Sequence, residues 1–357
     1  MRNFTYSRAD SVDQAVATHA RAVLQAEGTS QAVAQPAAPT GPQDASLEAT
    51  RRHSAFLAGG TTLLDLLKID VMQPPALVDI NRVGGLDGIE KLADGRMRIG
   101  ALVSNTTLAH HPEVLARYPV LSQALLAGAS TQLRNKATTA GNIMQRVRCN
   151  YFRDGVSPCN KREPGSGCAA IGGHNRTVHA VLGGSDACIA SHPSDMCVAM
   201  AAIGATIQVQ GPKGKRDIDF LDFHLLPGQT PWKEHALAAD ELITHVTLAA
   251  PLAGSKSAYL KLRDRASYQF ALASSAIIVV REGQVIREIR IALGGVGTKP
   301  WRATEAEAAL LGQPATQANI ERAAEIAFRA AVPQKHNAYK IPLGQQAIVR
   351  NLSTLVA

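Results

Sequence analysis

The sequence predicts an α+β protein with a larger N-terminal unit, residues 1–250, and a smaller C-terminal unit, residues 251–357. Three observations support this prediction. A chain of 357 residues with 46% hydrophobic content is long enough to bury more than one core. Short strand-like and helix-like segments follow one another along most of its length. A loop-like stretch at residues 250–254, Ala-Pro-Leu-Ala-Gly, separates two such series.

The N-terminal unit is predicted to begin with a helix followed by a poorly structured tract. Small apolar residues at helical spacing predict a helix over Asp10–Ala26. Residues 27–50 are rich in Ala, Gln, Pro and Thr, which is typical of a flexible, exposed insertion. Packed structure is expected to resume at His53.

Strands and helices are expected in both units from there on. The predicted strands are Ala55–Ala58, Ala76–Ile80, Met97–Ala101, Thr206–Val209, Ala258–Arg263, Ala271–Val280 and Glu288–Leu293. The predicted helices are Leu63–Lys68, Leu121–Ala129, Asp195–Ile203, Glu305–Leu311 and Ile320–Val332. The turn Gly211-Pro212-Lys213-Gly214 predicts a hairpin and therefore some antiparallel sheet.

Two turns of small residues are candidates for binding a phosphate group. The first is Leu57-Ala58-Gly59-Gly60-Thr61-Thr62-Leu63, between a predicted strand and a predicted helix. Glycine lets a phosphate approach the backbone, and the first amides of a helix donate to it, although such turns also occur for packing alone. This turn has neither the GxGxxG nor the P-loop pattern. The second turn is Thr138-Thr139-Ala140-Gly141-Asn142, so the pair favours a long ligand held at both ends.

All five cysteines lie between Cys149 and Cys197, which indicates a metal site rather than a disulfide framework. A structural zinc site normally contains a closely spaced cysteine pair, and this segment has none. An iron–sulfur cubane accepts wide spacing because each iron takes one protein ligand. The predicted ligands, on a loop insertion over residues 143–192, are Cys149, Cys159, Cys168 and Cys188. Basic neighbours are expected to favour the thiolates: Arg146, Arg148, Arg153, Lys161 and Arg162.

Other polar residues allow a structural interpretation. Cys197 lies in the apolar segment Asp195–Ile203 and is predicted to be a core thiol. The loop histidines are predicted to be surface or hydrogen-bonded residues rather than ligands: His174, His179 and His192. Basic residues occupy every second position of one predicted strand and so share one face of it. That face is expected to contact either an anionic ligand or solvent, and its residues are Lys261, Arg263 and Arg265.

Charge and hydropathy exclude some classes of function. The net charge of +8, from 37 basic and 29 acidic residues, is spread along the chain without a nucleic-acid-binding motif, so no nucleic-acid partner is expected. No apolar stretch approaches the roughly 20 residues that cross a bilayer, so no membrane insertion is expected. The first residues lack the apolar run of a signal peptide, and no export signal is predicted.

The turns and two further segments together resemble the FAD-binding subunit of the xanthine dehydrogenase and aldehyde oxidoreductase family of molybdenum hydroxylases. The resemblance extends from Phe4 to about Leu352. It is carried by residues 58–62, by residues 134–142, by Pro193-Ser194-Asp195-Met196 and by Tyr259-Leu260-Lys261. It implies a two-part FAD-binding domain of the vanillyl-alcohol-oxidase or PCMH type, followed by a C-terminal domain like that of CO dehydrogenase flavoproteins.

The resemblance also implies the residues that contact FAD. They are Leu57, Ala58, Gly59, Gly60, Thr61, Thr62, Leu63, Thr138, Thr139, Gly141, Asn142, Asp195 and Lys261. In this scheme Asp195 accepts a hydrogen bond from a ribityl or ribose hydroxyl, and Lys261 acts on the flavin electrostatically. Two departures from the family are the long tract 27–50 and Ala140, where many members have glycine.

The insertion is similar to that of a subset with a [4Fe-4S] cluster, such as the bacterial periplasmic aldehyde oxidoreductases. Most family members have only a short link between the positions of Asn142 and Asp195. The resemblance implies a subunit without catalytic residues of its own, in a heterotrimer with a molybdenum-cofactor large subunit and a [2Fe-2S] small subunit. It would pass electrons through FAD to an external acceptor, either in the periplasm by co-export with a partner or in the cytoplasm.

Two alternatives are open on the sequence alone. A stand-alone flavin oxidoreductase would need its own substrate base, and no such group of residues is evident. A zinc-stapled scaffold module would use the cysteines for structure and the glycine turns only to close loops.

Overall fold

The computed structural model describes residues 1–33 and 54–357. Strands of this part of the chain form three sheets, and helices pack against them, which confirms the α+β class. The helices are α1 (Val12–Val33), α2 (Leu63–Lys68), α3 (Asn105–His110), α4 (Pro112–Arg117), α5 (Pro119–Ala127), α6 (Thr131–Lys136), α7 (Thr139–Ile143), α8 (Asn150–Arg153), α9 (Asp195–Ile203), α10 (Phe220–Phe223), α11 (Thr304–Leu310), α12 (Gln317–Ala327) and α13 (Lys340–Val356).

The first sheet is parallel and supports the first glycine turn. Its strands are β1 (Thr5–Arg8), β2 (Ala55–Leu57) and β3 (Ala76–Asp79), in the order β1-β3-β2. Parallel strands need a crossover connection, which the turn at residues 58–62 and α2 begin. Leu77 and Val78 of the central strand are almost fully buried, so the turn projects from a rigid edge.

The second sheet is antiparallel and holds the main core of the N-terminal unit. Its strands are β4 (Ile89–Lys91), β5 (Met97–Gly100), β6 (Ala205–Gly211), β7 (Gly214–Asp219) and β8 (Leu242–Leu248), in the order β4-β5-β8-β6-β7. The predicted hairpin joins β6 to β7, with Gly211 opposite Gly214. Helix α9 is buried along its whole length, as expected for a helix that is apolar all round.

The third sheet belongs to the C-terminal part of the chain. Its strands are β9 (Lys256–Leu262), β10 (Ala273–Glu282), β11 (Val285–Gly294) and β12 (Trp301–Arg302), in the order β12-β11-β10-β9. Helix α13 is fixed to this sheet by polar contacts within the core. The Asn351 amide donates to the Ser275 carbonyl at 3.0 Å, and the Ser275 hydroxyl donates to the Ala347 carbonyl at 2.8 Å.

Several predicted boundaries are wrong. Helix α1 continues to Val33, so residues 27–33 are helical and not part of the predicted insertion, because residues 24–27, Leu-Gln-Ala-Glu, favour helix and carry it past its predicted end. Residues 34–50 of that predicted insertion lie outside the described residues. Helix α12 ends at Ala327, five residues earlier than expected, and the chain then turns so that the Val332 amide donates to the Val181 carbonyl.

Candidate functional site

The two glycine turns lie against each other although they are far apart in the sequence. A Cβ atom at Gly59 would overlap the carbonyl oxygen of Lys136, so only glycine permits this approach. Gly60 has a φ of 74°, in the left-handed region that glycine adopts without strain. The side-chain amide of Asn81 donates to the Ala58 carbonyl at 3.1 Å and fixes the start of the first turn. The first turn is therefore fixed on both sides.

The second turn begins the short helix α7. The Thr138 hydroxyl accepts a hydrogen bond from the Gly141 amide at 3.2 Å and caps the helix. A Cβ at Gly141 would lie 2.8 Å from that hydroxyl. Thr139 is fully buried, and its hydroxyl donates to the Val103 carbonyl at 3.0 Å. The side chain of Thr139 thus anchors the turn.

A cleft of about 590 Å³ separates the turns from the segment 232–243. This volume is within the usual range of clefts that bind small molecules and cofactors. The predicted FAD-contact residues that line it are Ala58, Gly59, Gly60, Thr61, Thr62, Leu63, Thr138 and Gly141. The predicted residues that do not line it are Leu57, Thr139, Asn142, Asp195 and Lys261.

Other residues that no sequence motif marks also line the cleft. His19 of α1 stacks on Phe56 with ring centroids 4.2 Å apart, and one ring nitrogen lies 2.6 Å from the Ala239 carbonyl oxygen. Trp232 and His235 line the facing wall. They come from segments distant in sequence and belong to no local motif, so no sequence signal could have assigned them to the cleft.

Asp195 and Lys261 meet each other in a buried ion pair. Lys261 Nζ donates to Asp195 Oδ2 at 2.7 Å and to the Ala127 carbonyl at 3.1 Å. The Tyr259 hydroxyl donates to Asp195 Oδ1 at 2.5 Å. Burial, together with the charge of Asp195, raises the pKa of Tyr259 well above its ordinary value. The pair therefore joins α9 to β9 and connects the two units of the chain.

A chain of polar contacts joins this pair to the second turn. The Ser194 hydroxyl donates to Asn142 Oδ1 at 2.7 Å and accepts from the Cys197 amide at 3.1 Å. Asp195 itself lines a small cavity beside Arg148 and Phe270. Asn142 and Asp195 are thus neighbours of the cleft and not part of its wall.

Each of the four candidate cysteine ligands lies on its own backbone turn, and all four line one pocket. Cys149 is the N-cap residue of α8. Cys159 and Cys168 face each other across a short antiparallel bridge. Cys188 closes a tight turn with Ser185. The structure therefore brings together the four residues that the sequence analysis selected as ligands.

Buried side chains tie these turns together. The Arg162 guanidinium donates to the carbonyl oxygens of Tyr151 and Phe152 at 2.7 and 2.8 Å. The Asn160 amide donates to the Ala187 carbonyl at 3.1 Å, next to Cys188. Such contacts hold the cysteines in place before any ion is bound.

Basic neighbours lower the pKa values of Cys159 and Cys188 in the predicted direction, but burial opposes them. Burial raises the pKa of Cys149 to about 12 and also raises the pKa values of Cys159 and Cys188. Lys161 opposes the shift at Cys188, but desolvation is larger. The basic side chains also have other partners, since Arg148 and Arg153 both pair with Asp65. A metal bound to these sulfur atoms would favour their deprotonated form over the effect of burial.

The spacing of the sulfur atoms differs from that of a single-ion site. In the described residues, three candidate ligand atoms lie within 4.8 Å of one another at His192, Cys197 and His224. The cysteine pocket contains no such group, so no three of its sulfur atoms are that close together. Four sulfurs around one zinc ion would lie about 3.8 Å apart, as Zn–S bonds of about 2.3 Å require. The wider arrangement suits ligands that each bind a separate metal atom.

Cys197 and His192 are both buried. Cys197 is fully enclosed in α9, as predicted for a core thiol. His192 is not a surface residue; its ring packs against that of His224 with centroids 4.5 Å apart. His179 is buried as well, and its Nε2 lies 3.3 Å from Cys149 Sγ. His179 thus packs against a cysteine of the pocket, whereas His174 is exposed, as predicted for a surface residue.

A charged group lies between the cleft and the cysteine pocket. Glu234 forms ion pairs with Arg146 and with Lys161, the latter at 2.9 Å. Burial alone would raise the pKa of Glu234, but the two positive charges lower it below the usual value. Arg146 and Glu234 line the cleft, whereas Lys161 lines the cysteine pocket. The two sites therefore share a wall.

Comparison with known families identifies the class of protein. The family model described as "FAD binding domain in molybdopterin dehydrogenase" matches residues 38–251, and the model described as "CO dehydrogenase flavoprotein C-terminal domain" matches residues 257–355. Fold and cleft define a FAD-binding flavoprotein of the oxidoreductase class. The chain belongs to the molybdopterin dehydrogenase FAD-binding family, which confirms the predicted resemblance at the level of the family.

Individual relatives are similar over nearly the whole chain. The aldehyde oxidoreductase FAD-binding subunit PaoB of Escherichia coli is 50% identical over 314 residues, which cover 87% of this chain and 95% of that protein. The carbon monoxide dehydrogenase medium chain of Hydrogenophaga pseudoflava is 27% identical over 84% of this chain and 88% of its own length. A solved structure of carbon monoxide dehydrogenase from that organism matches with a TM-score of 0.72 and 26% identity, covering 99% of this chain and 97% of the matched chain.

None of the helices in the described ranges, 1–33 and 54–357, combines the length and apolar character that a bilayer crossing needs.

Proposed function

We propose that this chain is the FAD- and [4Fe-4S]-containing electron-transfer subunit of a molybdenum-dependent aldehyde oxidoreductase. Electrons from a molybdenum-cofactor subunit and a [2Fe-2S] subunit reach its FAD and pass to an external acceptor. FAD accepts electrons singly or in pairs when bound, and the residues of this chain hold and orient it. The proposal that the partner oxidises an aldehyde rests on the similarity to the FAD-binding subunit of the Escherichia coli aldehyde oxidoreductase.

The convergence of four cysteines from four turns on one pocket carries the proposal of the cluster. Four cysteines that line one pocket supply the ligand set that a cubane requires, one sulfur for each iron. The wide sulfur spacing and the preformed turns fit a cubane better than a zinc ion. The ligands in this proposal are Cys149, Cys159, Cys168 and Cys188.

The cleft that both glycine turns line supports the placement of FAD. Gly59 and Gly60 expose backbone at one wall, and Gly141 exposes it at the neighbouring turn. Asp195 and Lys261 lie on the side of Asn142 that is away from the cleft. Asp195 is proposed to accept a hydrogen bond from a ribityl hydroxyl, because its two oxygen atoms retain lone pairs beside their bonds to Tyr259 and Lys261. These roles are inferred from the family pattern and from the position of each residue beside the cleft.

Metal and flavin analysis of matched cysteine variants tests the proposal. The full chain should contain FAD, about four iron atoms and about four sulfide ions. Cys159→Ser should lose iron and sulfide, whereas Cys197→Ser, at the buried thiol of α9, should keep both. Equal loss of iron in both variants would contradict the ligand assignment. Stoichiometric zinc without sulfide would instead support the scaffold alternative.

A further inference from the structure

Arg146 is anchored on one side of its guanidinium group and unused on the other. Its Nε pairs with the carboxylate of Glu234. The guanidinium carbon lies 5.1 Å from the centre of the Phe152 ring, within the range of a cation–π contact. Its Nη2 is buried and has no hydrogen-bond partner. The side chain is thus held rigidly with a donor to spare.

An unused donor of this kind is unfavourable unless a ligand completes it. The Arg146 side chain is only 11% exposed, so bulk water solvates it poorly. A buried charged donor without a hydrogen-bond partner lowers the stability of the folded protein more than a neutral one does. Folded proteins therefore rarely contain such groups. Because Arg146 lines the cleft, the partner is expected to enter from there.

One carboxylate, that of Glu234, does not balance the positive charges of Arg146 and Lys161. Arg146 and Lys161 share the single carboxylate of Glu234. Lys161 Nζ is also satisfied by the Pro231 carbonyl at 2.8 Å. Burial lowers the pKa of neighbouring His235 to about 4, so this ring is neutral at pH 7. The cleft wall at Arg146 therefore carries excess positive charge, to which Lys233 also contributes.

We propose that Arg146 binds an anionic oxygen of the FAD diphosphate. The planar guanidinium group matches the geometry of phosphate oxygens, and a rigid arginine loses little entropy on binding. The residue lies outside both glycine turns, four positions after Asn142, at the start of the cysteine insertion. This inference rests on the proposed binding of FAD in the cleft and adds a specific cation to the backbone donors of the turns.

Ligand-binding measurements on the full chain, after removal of its flavin, test the inference. Arg146→Gln should bind FAD about 10- to 100-fold more weakly, the loss expected for one charge-assisted hydrogen bond. Adenosine diphosphate carries the diphosphate without the flavin ring, so its affinity should fall by a similar factor. Riboflavin carries the ring without phosphate, and its affinity should not change.

Two further variants test whether the effect belongs to Arg146 and to its positive charge. Arg302→Gln is a matched control, because Arg302 is a half-buried arginine that pairs with Glu307 and does not line the cleft. Arg146→Lys keeps the charge and should recover part of the affinity. In Arg146→Gln the pair between Glu234 and Lys161 remains, so the fold and the iron content should be kept.

Unchanged affinity of Arg146→Gln for FAD and adenosine diphosphate would overturn the inference. A loss for riboflavin as large as that for FAD would also overturn it. If the wild-type chain bound no FAD at all, the proposed function itself would fail, which is a distinct result.

Discussion

At the scale of single residues, the contact between Gly59 and Lys136 allows the two turns to share one cleft. The turns come from different parts of the chain, and their backbones approach at a position where any side chain would collide. Gly59 is thus required for the packing of turn against turn, in addition to any approach by a phosphate group. A single methyl group at this position tests how strongly the cleft depends on that packing.

Gly59→Ala should separate the turns and weaken FAD binding. The new Cβ would overlap the Lys136 carbonyl, which is backbone and cannot rotate away, so we expect a loss of about 1–3 kcal/mol in unfolding free energy. Flavin fluorescence titration should show at least about tenfold weaker binding. Gly84→Ala is the control, because Gly84 is exposed and has no heavy atom within 4 Å of its Cβ position. Equal behaviour of the two variants would show that the turns do not depend on this contact.

Residue patterns could identify the local part of the site but not its opposite wall. Gly60 and Thr138 form turns whose geometry is decided by residues a few positions away, so the sequence was sufficient. His19 and Trp232 reach the cleft only through the packing of distant segments. The pairing of Asp195 with Lys261 was missed for the same reason, because it depends on how α9 lies against β9.

At the scale of elements, helix α9 is the support that connects the candidate site to the core. All nine residues of α9 are buried, so its position is fixed by contacts on every side. Its N-cap, Ser194, uses its hydroxyl twice, as an acceptor from Cys197 and as a donor to Asn142. The start of α9 is therefore bound directly to the end of the second turn.

Ser194→Ala should cost more stability than the loss of an ordinary helix cap. Removing a serine N-cap typically costs about 0.5–2 kcal/mol, and this variant would also leave Asn142 Oδ1 without one of its donors. Ser130→Ala is the matched control, because Ser130 caps α6 through the Leu133 amide at 3.3 Å and lies at a less buried position. Denaturant unfolding should give a larger loss for Ser194→Ala. A similar loss in both would show that the link to Asn142 contributes little.

Elements with strong local signals were predicted well, and those shaped by tertiary contacts were not. The boundaries of α2 and α9 match the prediction, because each is a short apolar segment between clear start and stop signals. Helix α13 was missed because it contains Pro342 and Gly344. Pro342 lies in the first turn, where its missing N–H has no partner to lose, and a side chain at Gly344 would overlap Phe328. Its packing therefore overrides its low helix propensity.

At the scale of the whole molecule, the C-terminal part of the chain holds the cysteine insertion in place. The Asn337 amide donates to the Ala180 carbonyl at 3.1 Å, and the His336 amide donates to Asn175 Oδ1 at 3.0 Å. Lys340 is fully buried, and its Nζ donates to the carbonyl oxygens of Thr177 and Gly295 at 2.8 and 2.6 Å. The Lys340 side chain therefore connects the insertion to the residue that follows β11, next to backbone hydrogen bonds from Val181 and Leu182 to Val296.

Lys340 should make the stability of the whole chain depend on pH. Burial lowers the pKa of Lys340 to about 7, whereas in the unfolded chain it returns to an ordinary value near 10.5. Between these values the unfolded state binds the proton more often than the folded state does, so the free energy of unfolding rises with pH. The rise is at most about 1.4 kcal/mol per pH unit from this group. Lys340→Met removes the titrating amine, so the free energy of unfolding should change less with pH between about 7 and 10.5.

Denaturant midpoints measured from pH 7 to 9.5 check this dependence. Lys340→Met should show its greatest stability relative to the wild type near pH 7, where the wild type still holds a buried charge, and should lose that relative advantage as the pH rises. Lys335→Met, at an exposed position five residues earlier, should run parallel to the wild type. Parallel curves for both variants would mean that the hydrogen bonds to Thr177 and Gly295 keep Lys340 charged throughout this range. The same lysine would then act as a permanent cation that fixes the cysteine insertion to the third sheet, and its removal would lower stability equally at every pH.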